Sequence, residues 1–378
     1  MKVTFKNPKI CSKCVMDSTA LEIKFDNNGV CSFCKEYDIR SSKDLHESPE
    51  DSKKLEDFLK QIKQKRKNFE YDCIIGVSGG VDSSYVAYLL KKVHGLNPLA
   101  VHLDNGWNSE LAVSNVENIM KILEIDLITH VLDWNEFRDI QISFLKSSIS
   151  NIEMPTDHAI WAILIKTAAK MKIPYIIAGN NVVTESTMPY SWLYQSKDSR
   201  IIKSIHKKFG SNIRKTYPSL STFDYIYFLL VKRIRWIPIL NYIKYNKIEA
   251  KNKLIEELGW KDYGGKHYES IFTRFFHSNY LLKKFGYDLR KPYLSAEICS
   301  GQLSRKDALK ELSSPPLDEN QMRLDKDYIS KKLALSEVEF EMIINKQNKS
   351  FRDYPNSNFL WSNFSYFISK ARNFITKI

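Results

Sequence analysis

Between residues 41 and 54 the chain is polar and reads as a linker. Leu55, Phe58, Leu59 and Ile62 then fall at helical spacing and predict a short amphipathic helix. From Tyr71 a different rhythm begins. Apolar runs at Tyr71–Val77, Leu99–Leu103, Leu127–Leu132 and Tyr175–Ala178 predict strands. The stretches between them, Ser83–Val93, Glu110–Leu123, Phe137–Ile149 and Ala159–Met171, predict helices. Strands that are apolar throughout and alternate with helices predict an α/β fold, a doubly wound parallel sheet covered on both faces. Ligands of such sheets bind at the carboxyl ends of the strands. The residues to inspect are therefore Ser78–Ser84, Asp104–Trp107 and Gly179–Asn181. Beyond residue 185 the alternation fades into a basic, aromatic segment, then 263–312, then a mostly helical tail after Pro315-Pro316.

A length of 378 residues allows two domains, or one large domain with appendages, and 43% apolar residues suffice for a sizeable core. No run approaches the roughly 18 to 20 apolar residues needed to cross a bilayer. The first residues, Met1–Lys6, lack the apolar core of a signal peptide, so a cytoplasmic protein without a transmembrane segment is expected. The net charge is +13, and thirteen Lys/Arg against two acids, Asp224 and Glu249, lie between Arg200 and Lys253. A basic segment of this kind suits an anionic substrate, an acidic partner, a membrane surface or RNA. Charge alone does not choose among them.

The string Ser78-Gly79-Gly80-Val81-Asp82-Ser83-Ser84 follows a predicted strand and opens a predicted helix. Two glycines let the backbone turn tightly against an anion. The hydroxyls of Ser78, Ser83 and Ser84, with N–H groups at the helix start, offer donors to phosphate. Asp82 can orient the loop or help hold a divalent cation. An ordinary strand–helix turn accounts for Gly-Gly but not for the whole string, and a Walker A loop would need a lysine the string lacks. The string matches the loop of the ATP-pyrophosphatase (PP-loop) superfamily, to which asparagine, GMP and NAD synthetases and tRNA-modifying enzymes belong. Asp104, with Asn105 to Trp107, and Gly179 and Asn180 sit at further strand ends facing the same crevice.

Cys11-x-x-Cys14 and Cys31-x-x-Cys34 form two pairs separated by sixteen residues. Four thiolates so spaced can close a tetrahedral site, and structural Zn2+ is favoured over an iron–sulfur cluster. Cys73 reads as a core residue; Cys299 reads as core or site. Neither has the context of a glutaminase nucleophile.

Two further stretches carry a family resemblance. Gly264–Phe276 and Leu294–Leu309, together with Ile10–Ser18 and the cysteine pairs, resemble the N-acetyl sugar amidotransferases of bacterial surface-polysaccharide (lipopolysaccharide, O-antigen) biosynthesis, over roughly residues 8–312. The resemblance implies an ATP-dependent, AMP-forming enzyme using Mg2+. It adenylates the carbonyl oxygen of a sugar N-acetyl group and replaces that oxygen with ammonia to give an acetamidino sugar. It implies an anionic or nucleotide-linked N-acetylated sugar as substrate. It also implies separate glutaminase and cyclase-like subunits delivering ammonia through a channel, and no nucleic acid. Lys266 and Arg274 are the expected positive charges at the departing pyrophosphate, beside Asp82. Thr156, Asp157 and His158 form another polar cluster, directed either at the ligands or at capping a helix. The organisation expected is a zinc-knuckle module over 1–40, a PP-loop core of the adenine nucleotide alpha hydrolase-like type over 55–195, a basic and substrate region over 196–312, and a helical tail over 313–378.

Three rivals remain. A tRNA-modifying thiolase or lysidine-type ligase shares the loop, the cysteine pairs and the basic segment. A zinc-containing binding module with a degenerate loop is a second. Interfacial binding through Phe228–Val231 and Ile237–Leu240 is a third.

Overall fold

The computed structural model describes residues 8–211, 215–265 and 268–361. Five strands, β1 (Cys73–Gly76), β2 (Pro98–Asp104), β3 (Leu127–Val131), β4 (Tyr175–Ala178) and β5 (Arg235–Pro238), form one sheet in the order β3-β2-β1-β4-β5. Every pairing is parallel. Successive side chains on a strand face opposite sides. Ile74, Leu99, Val101 and Ile176 accordingly enter one apolar layer, and Cys73, Ile75, Ala100 and Ile177 the other. Burial on both faces is what made β1, β2 and β4 continuously apolar, whereas the edge strand β3 is largely exposed.

The helices that matter here are α1 (Ser32–Asp44), α2 (Pro49–Lys65), α3 (Val81–Tyr88), α4 (Glu110–Ile122), α5 (Trp134–Ser147), α6 (Met154–Lys170), α7 (Val182–Glu185), α8 (Ser199–Phe209), α9 (Thr222–Leu230) and α10 (Lys247–Leu258). The C-terminal part adds α11 (Ile271–Phe275), α12 (Arg290–Cys299), α13 (Arg305–Leu312), α14 (Glu319–Lys332) and α15 (Glu337–Ile344). Several predicted boundaries move outward because polar residues start the helices. Asp133 caps α5 by accepting the Glu136 N–H, and α6 begins at Met154 with Pro155 in its first turn.

From β1 the chain winds to β2 and β3, then returns through α6 to lay β4 on the other side of β1. That reversal opens a crevice above the carboxyl ends of β1 and β4, where doubly wound sheets bind ligands.

The sheet does not end with β4. β5 lies inside the basic segment, pairing Tyr175 with Arg235 and Ile177 with Ile237. Only four residues long, and carrying Arg235 and Pro238, it has no alternation to reveal it. Ile237, Ile239 and Leu240 are buried, so this part of the segment is core rather than a membrane-facing surface.

A buried charge pair holds α11 to α14. Arg274 on α11 donates from Nε and Nη2 to the two oxygens of Asp325 on α14, each at 2.7 Å. The Asp325 side chain is 3% exposed. Removing one partner of a buried pair strands the other. Asp325→Ala is expected to destabilise the protein by about 3 kcal/mol or more in urea unfolding. Affinity for an ATP analogue should not change.

Candidate active site

Directly after β1, Gly79 adopts φ +84°, and a Cβ there would stand 2.7 Å from the Ala112 carbonyl oxygen of α4. Only glycine fits this left-handed, crowded position. The Trp260 indole N–H holds the other side of the turn, donating to the Gly79 carbonyl at 2.9 Å. Within the loop, the Gly80 N–H donates to Ser78 Oγ at 3.3 Å, and Ser83 Oγ donates to the Gly80 carbonyl at 3.2 Å. The next helix, α3, starts at Gly80 with no side chain capping it, whereas α2 and α4 are capped by Ser48 and Ser109. Its first N–H groups are left for an anion.

The β4 loop closes on this one. A Cβ on Gly179 would lie 2.9 Å from the carbonyl carbon of Asp82. Asp82 in turn accepts the hydroxyl of Tyr245. The two loops border a cavity of about 560 Å3, within the usual range for small-molecule sites.

Of the residues expected in the site, Ser78, Gly80, Val81, Asp82, Ser83, Gly179 and Asn180 line this cavity, as do Thr156 and Asp157. Gly79 sits behind the turn, and Ser84 is buried in α3. Asp104 does not face the cavity; its carboxylate accepts the Gly106 N–H at 2.8 Å, and the neighbouring Asn105 reaches the cavity instead. Arg274 is likewise elsewhere. On α11 successive side chains are about 100° apart. Thr273 therefore faces the cavity while Arg274 turns to Asp325. Lys266, with His267, lies outside the described residues. Asp157 and His158 do not cap a helix, because α6 has already begun. His158 is buried, with Nδ1 on the Ser196 carbonyl at 2.8 Å.

Several lining groups escaped sequence reading. Lys247 and Lys251 of α10 line the cavity, at 3.7 Å from Glu297 and paired with Asp262 respectively. They belong to the basic segment, but a charge count does not say which lysines turn inward. Tyr263 and Glu269 flank Gly80. Burial holds the hydroxyls of Tyr245 and Tyr263 protonated far above the usual range, reinforced by Asp82 and by Glu269 with Asp82. Glu153 is 7% exposed. Its Oε2 accepts from Thr273 Oγ1 at 2.9 Å, and its Oε1 has no partner among the described residues. Burial, and then Asp157 and Glu269, push this carboxyl up to about 8.

The four N-terminal cysteines are fully buried and their sulfurs lie within 4.8 Å of one another. Sulfurs about 2.3 Å from a tetrahedral zinc stand about 3.8 Å apart. Here Cys11–Cys34, Cys14–Cys31 and Cys31–Cys34 are separated by 3.8, 3.6 and 3.7 Å. The set fits zinc, which would tie the two knuckles together. Cys299 adds a fifth sulfur 3.8 Å from Cys34, and Cys73 is buried in β1. The module docks on the C-terminal helices: Arg305 donates to the carbonyls of Cys11 and Cys14, and the Val15 N–H to Ser295 Oγ. From there Gln302 donates to the Tyr245 carbonyl at 2.7 Å, which leads back to Asp82.

Residues 52–208 match the NAD synthase family, and residues 269–367 match the family described as LPS biosynthesis protein WbpG-like, C-terminal domain. The chain therefore joins an NAD synthase-like segment to a WbpG-like C-terminal segment. It is an ATP-utilising PP-loop enzyme. An uncharacterised protein of Methanocaldococcus jannaschii is 24% identical over 313 residues, 81% of this chain and 93% of its own length. Among solved structures, NMN synthetase from Francisella tularensis is 15% identical, covering 76% of this chain and 96% of its own, with a TM-score of 0.35. The NH3-dependent NAD synthetase from Campylobacter jejuni is 15% identical, covering 79% and 97%, with a TM-score of 0.30. Among the described residues no helix is long and apolar enough to cross a membrane.

Gly179→Ala is expected to force the β4 loop away from Asp82 and weaken binding of an ATP analogue about tenfold or more, since overpacking of this kind costs about 1–3 kcal/mol. Calorimetric titration measures it; unchanged affinity would show that the loops are not coupled. The Glu153 carboxyl is raised from 4.5 to about 8 in the folded chain. Its contribution to stability is therefore complete below pH 4.5 and is lost as pH rises through 8. Melting temperatures of ligand-free wild type and Glu153→Gln should diverge across this range, with the wild type falling further behind at high pH. Parallel curves would mean Glu153 titrates as an ordinary carboxylate.

Proposed function

We propose that this enzyme is an N-acetyl sugar amidotransferase of bacterial lipopolysaccharide and O-antigen biosynthesis. It activates the oxygen of a sugar N-acetyl group with ATP and replaces it with ammonia. An amide oxygen leaves poorly, so ammonia cannot displace it unaided. The oxygen attacks the α-phosphorus, the α–β bond breaks, and pyrophosphate departs with the electron pair. Ammonia adds to the resulting imidate carbon, a proton is lost, and AMP leaves to give the acetamidine. The observation that carries this reading is the complete phosphate loop at an uncapped α3, joined in one chain to a WbpG-like C-terminal domain.

Each of the protein's groups then has a task. The Ser78 and Ser83 hydroxyls and the α3 N–H groups hold phosphate oxygens in place. Lys247 and Lys251 supply positive charge where the departing pyrophosphate develops negative charge. Asp82 would help hold Mg2+, which would supply further neutralisation. Ammonia comes from separate glutaminase and cyclase-like subunits. The protein is cytoplasmic, and nucleic acid has no part. A thiolase of tRNA fits less well, because Cys73 is sealed within β1 and Cys299 lies beside Cys34 rather than at the loop.

The test supplies ATP, Mg2+ and ammonium with a panel of N-acetylated nucleotide sugars and nonulosonic acids. The expected outcome is AMP, pyrophosphate and a product with NH in place of one oxygen. Asp82→Asn should lower AMP formation by about two to three orders of magnitude without altering the melting temperature by more than a few degrees. AMP that forms only with tRNA would overturn the reading.

A further inference from the structure

A second cavity, of about 680 Å3, adjoins the nucleotide cleft and shares Asn180, Glu185 and Trp236 with it. The carboxyl end of β4 and the whole length of β5 form one side, and the end of α1 and the start of α2 the other. A ligand passing across Trp236 therefore reaches both the second cavity and the phosphate loop.

Its charges are unevenly committed. Lys54 is occupied by Glu50 at 3.0 Å, and Asp51 by the Ser48 hydroxyl at 2.6 Å. Three other cations have no carboxylate partner among the described residues. Arg40 donates only to the neutral Ser186 carbonyl, at 2.8 Å. Lys43 has no ion pair. The Arg235 guanidinium lies over the Phe58 ring at 5.0 Å, and its Nε is shut off from solvent with no hydrogen-bond partner. A sealed donor without an acceptor is costly unless a ligand supplies one, and the planar guanidinium suits phosphate oxygens.

The same cavity offers flat surfaces. His46 stacks on Tyr242 with centroids 4.7 Å apart. Trp236 stacks on Trp161 at 4.0 Å and is fixed in plane by its N–H bond to Asn180 Oδ1 at 2.8 Å. Apart from Val182, Ile237 and Pro238 the lining is polar or aromatic, with no trough for an isoprenyl chain.

We propose that this second cavity binds the acceptor of the amidotransferase reaction as a nucleoside diphosphate-linked sugar. The diphosphate lies on Arg235, Arg40 and Lys43, the base lies against the His46–Tyr242 pair, and the sugar crosses Trp236 to present its acetamido group to the cleft. This identification of the substrate class rests on the reading of the enzyme as a sugar amidotransferase. Its test does not require turnover.

The cleft is first filled with Mg2+ and α,β-methylene-ATP, and UDP is then titrated calorimetrically as the probe. UDP is expected to bind the loaded protein, and Arg235→Ala to weaken UDP by about tenfold or more while leaving the ATP analogue unaffected. Lys43→Glu, on the surface of α1, should weaken UDP in the same direction and guards against a folding defect in the Arg235 variant. UDP that binds only by displacing the ATP analogue, or that binds both variants as it binds wild type, or fails to bind, overturns the proposal. Geranyl diphosphate binding as well as UDP would overturn its nucleoside part. UDP binding that follows the expected pattern, in a protein that forms no AMP with any sugar, would retain the site and refute the reaction.

Discussion

The nucleotide cleft depends on two backbones being nearly in contact. Gly179, after β4, leaves no room for even one carbon between itself and the carbonyl of Asp82. The reversal of strand order between β1 and β4 brings these loops side by side, and only a residue without a side chain lets them close. Once they do, Asp82 is held at the mouth of α3, Tyr245 reaches it from the segment after β5, and the unfilled N–H groups of the helix point into the space between. The glycine at 79 plays the complementary part on the α4 side, so the loop is pressed into shape from both flanks.

Charge in this site is arranged by burial more than by pairing. Glu153 is neutral over most of the physiological range because water is excluded from it, and its neighbours Asp157 and Glu269 reinforce the effect. A cleft meant for a polyphosphate can hold these three carboxyl groups close together, beside Asp82, Glu185 and Asp262, if one keeps its proton. The two inward lysines of α10 then stand against fewer negative charges than the composition of the cavity suggests.

Much of this was legible in the sequence, for identifiable reasons. The parallel sheet showed because its central strands β1, β2 and β4 are buried on both faces and so nearly uniformly apolar. The phosphate loop showed because chemistry fixes seven consecutive residues. The metal knuckles showed because four ligands within twenty-four residues need no tertiary information. What stayed hidden is what distant chain segments decide. β5 becomes a strand because β4 offers it an open edge, not because its four residues demand it. Lys247 and Lys251 are indistinguishable in composition from the solvent-facing lysines around them. Arg274 adjoins a residue that does line the cleft, yet one step round a helix sends it to Asp325. The polar stretch 41–54, which reads as a linker, supplies His46 and Lys54 to a cavity.

The docking of the cysteine module has a consequence for how the molecule is made. Arg305 holds the carbonyl of Cys11 across 294 positions of sequence. The knuckles need only local chain to form, so on the ribosome they are complete long before their docking surface has been synthesised. The module must wait, folded and with its underside uncovered, until α12 and α13 emerge and close the longest ring among the described residues. When that ring closes, Gln302 meets Tyr245 and the brace on Asp82 is finished. The catalytic loop thus reaches its final form only after α13 has been made, and a chain stopped short of it carries an ATP loop that is present but not yet aligned.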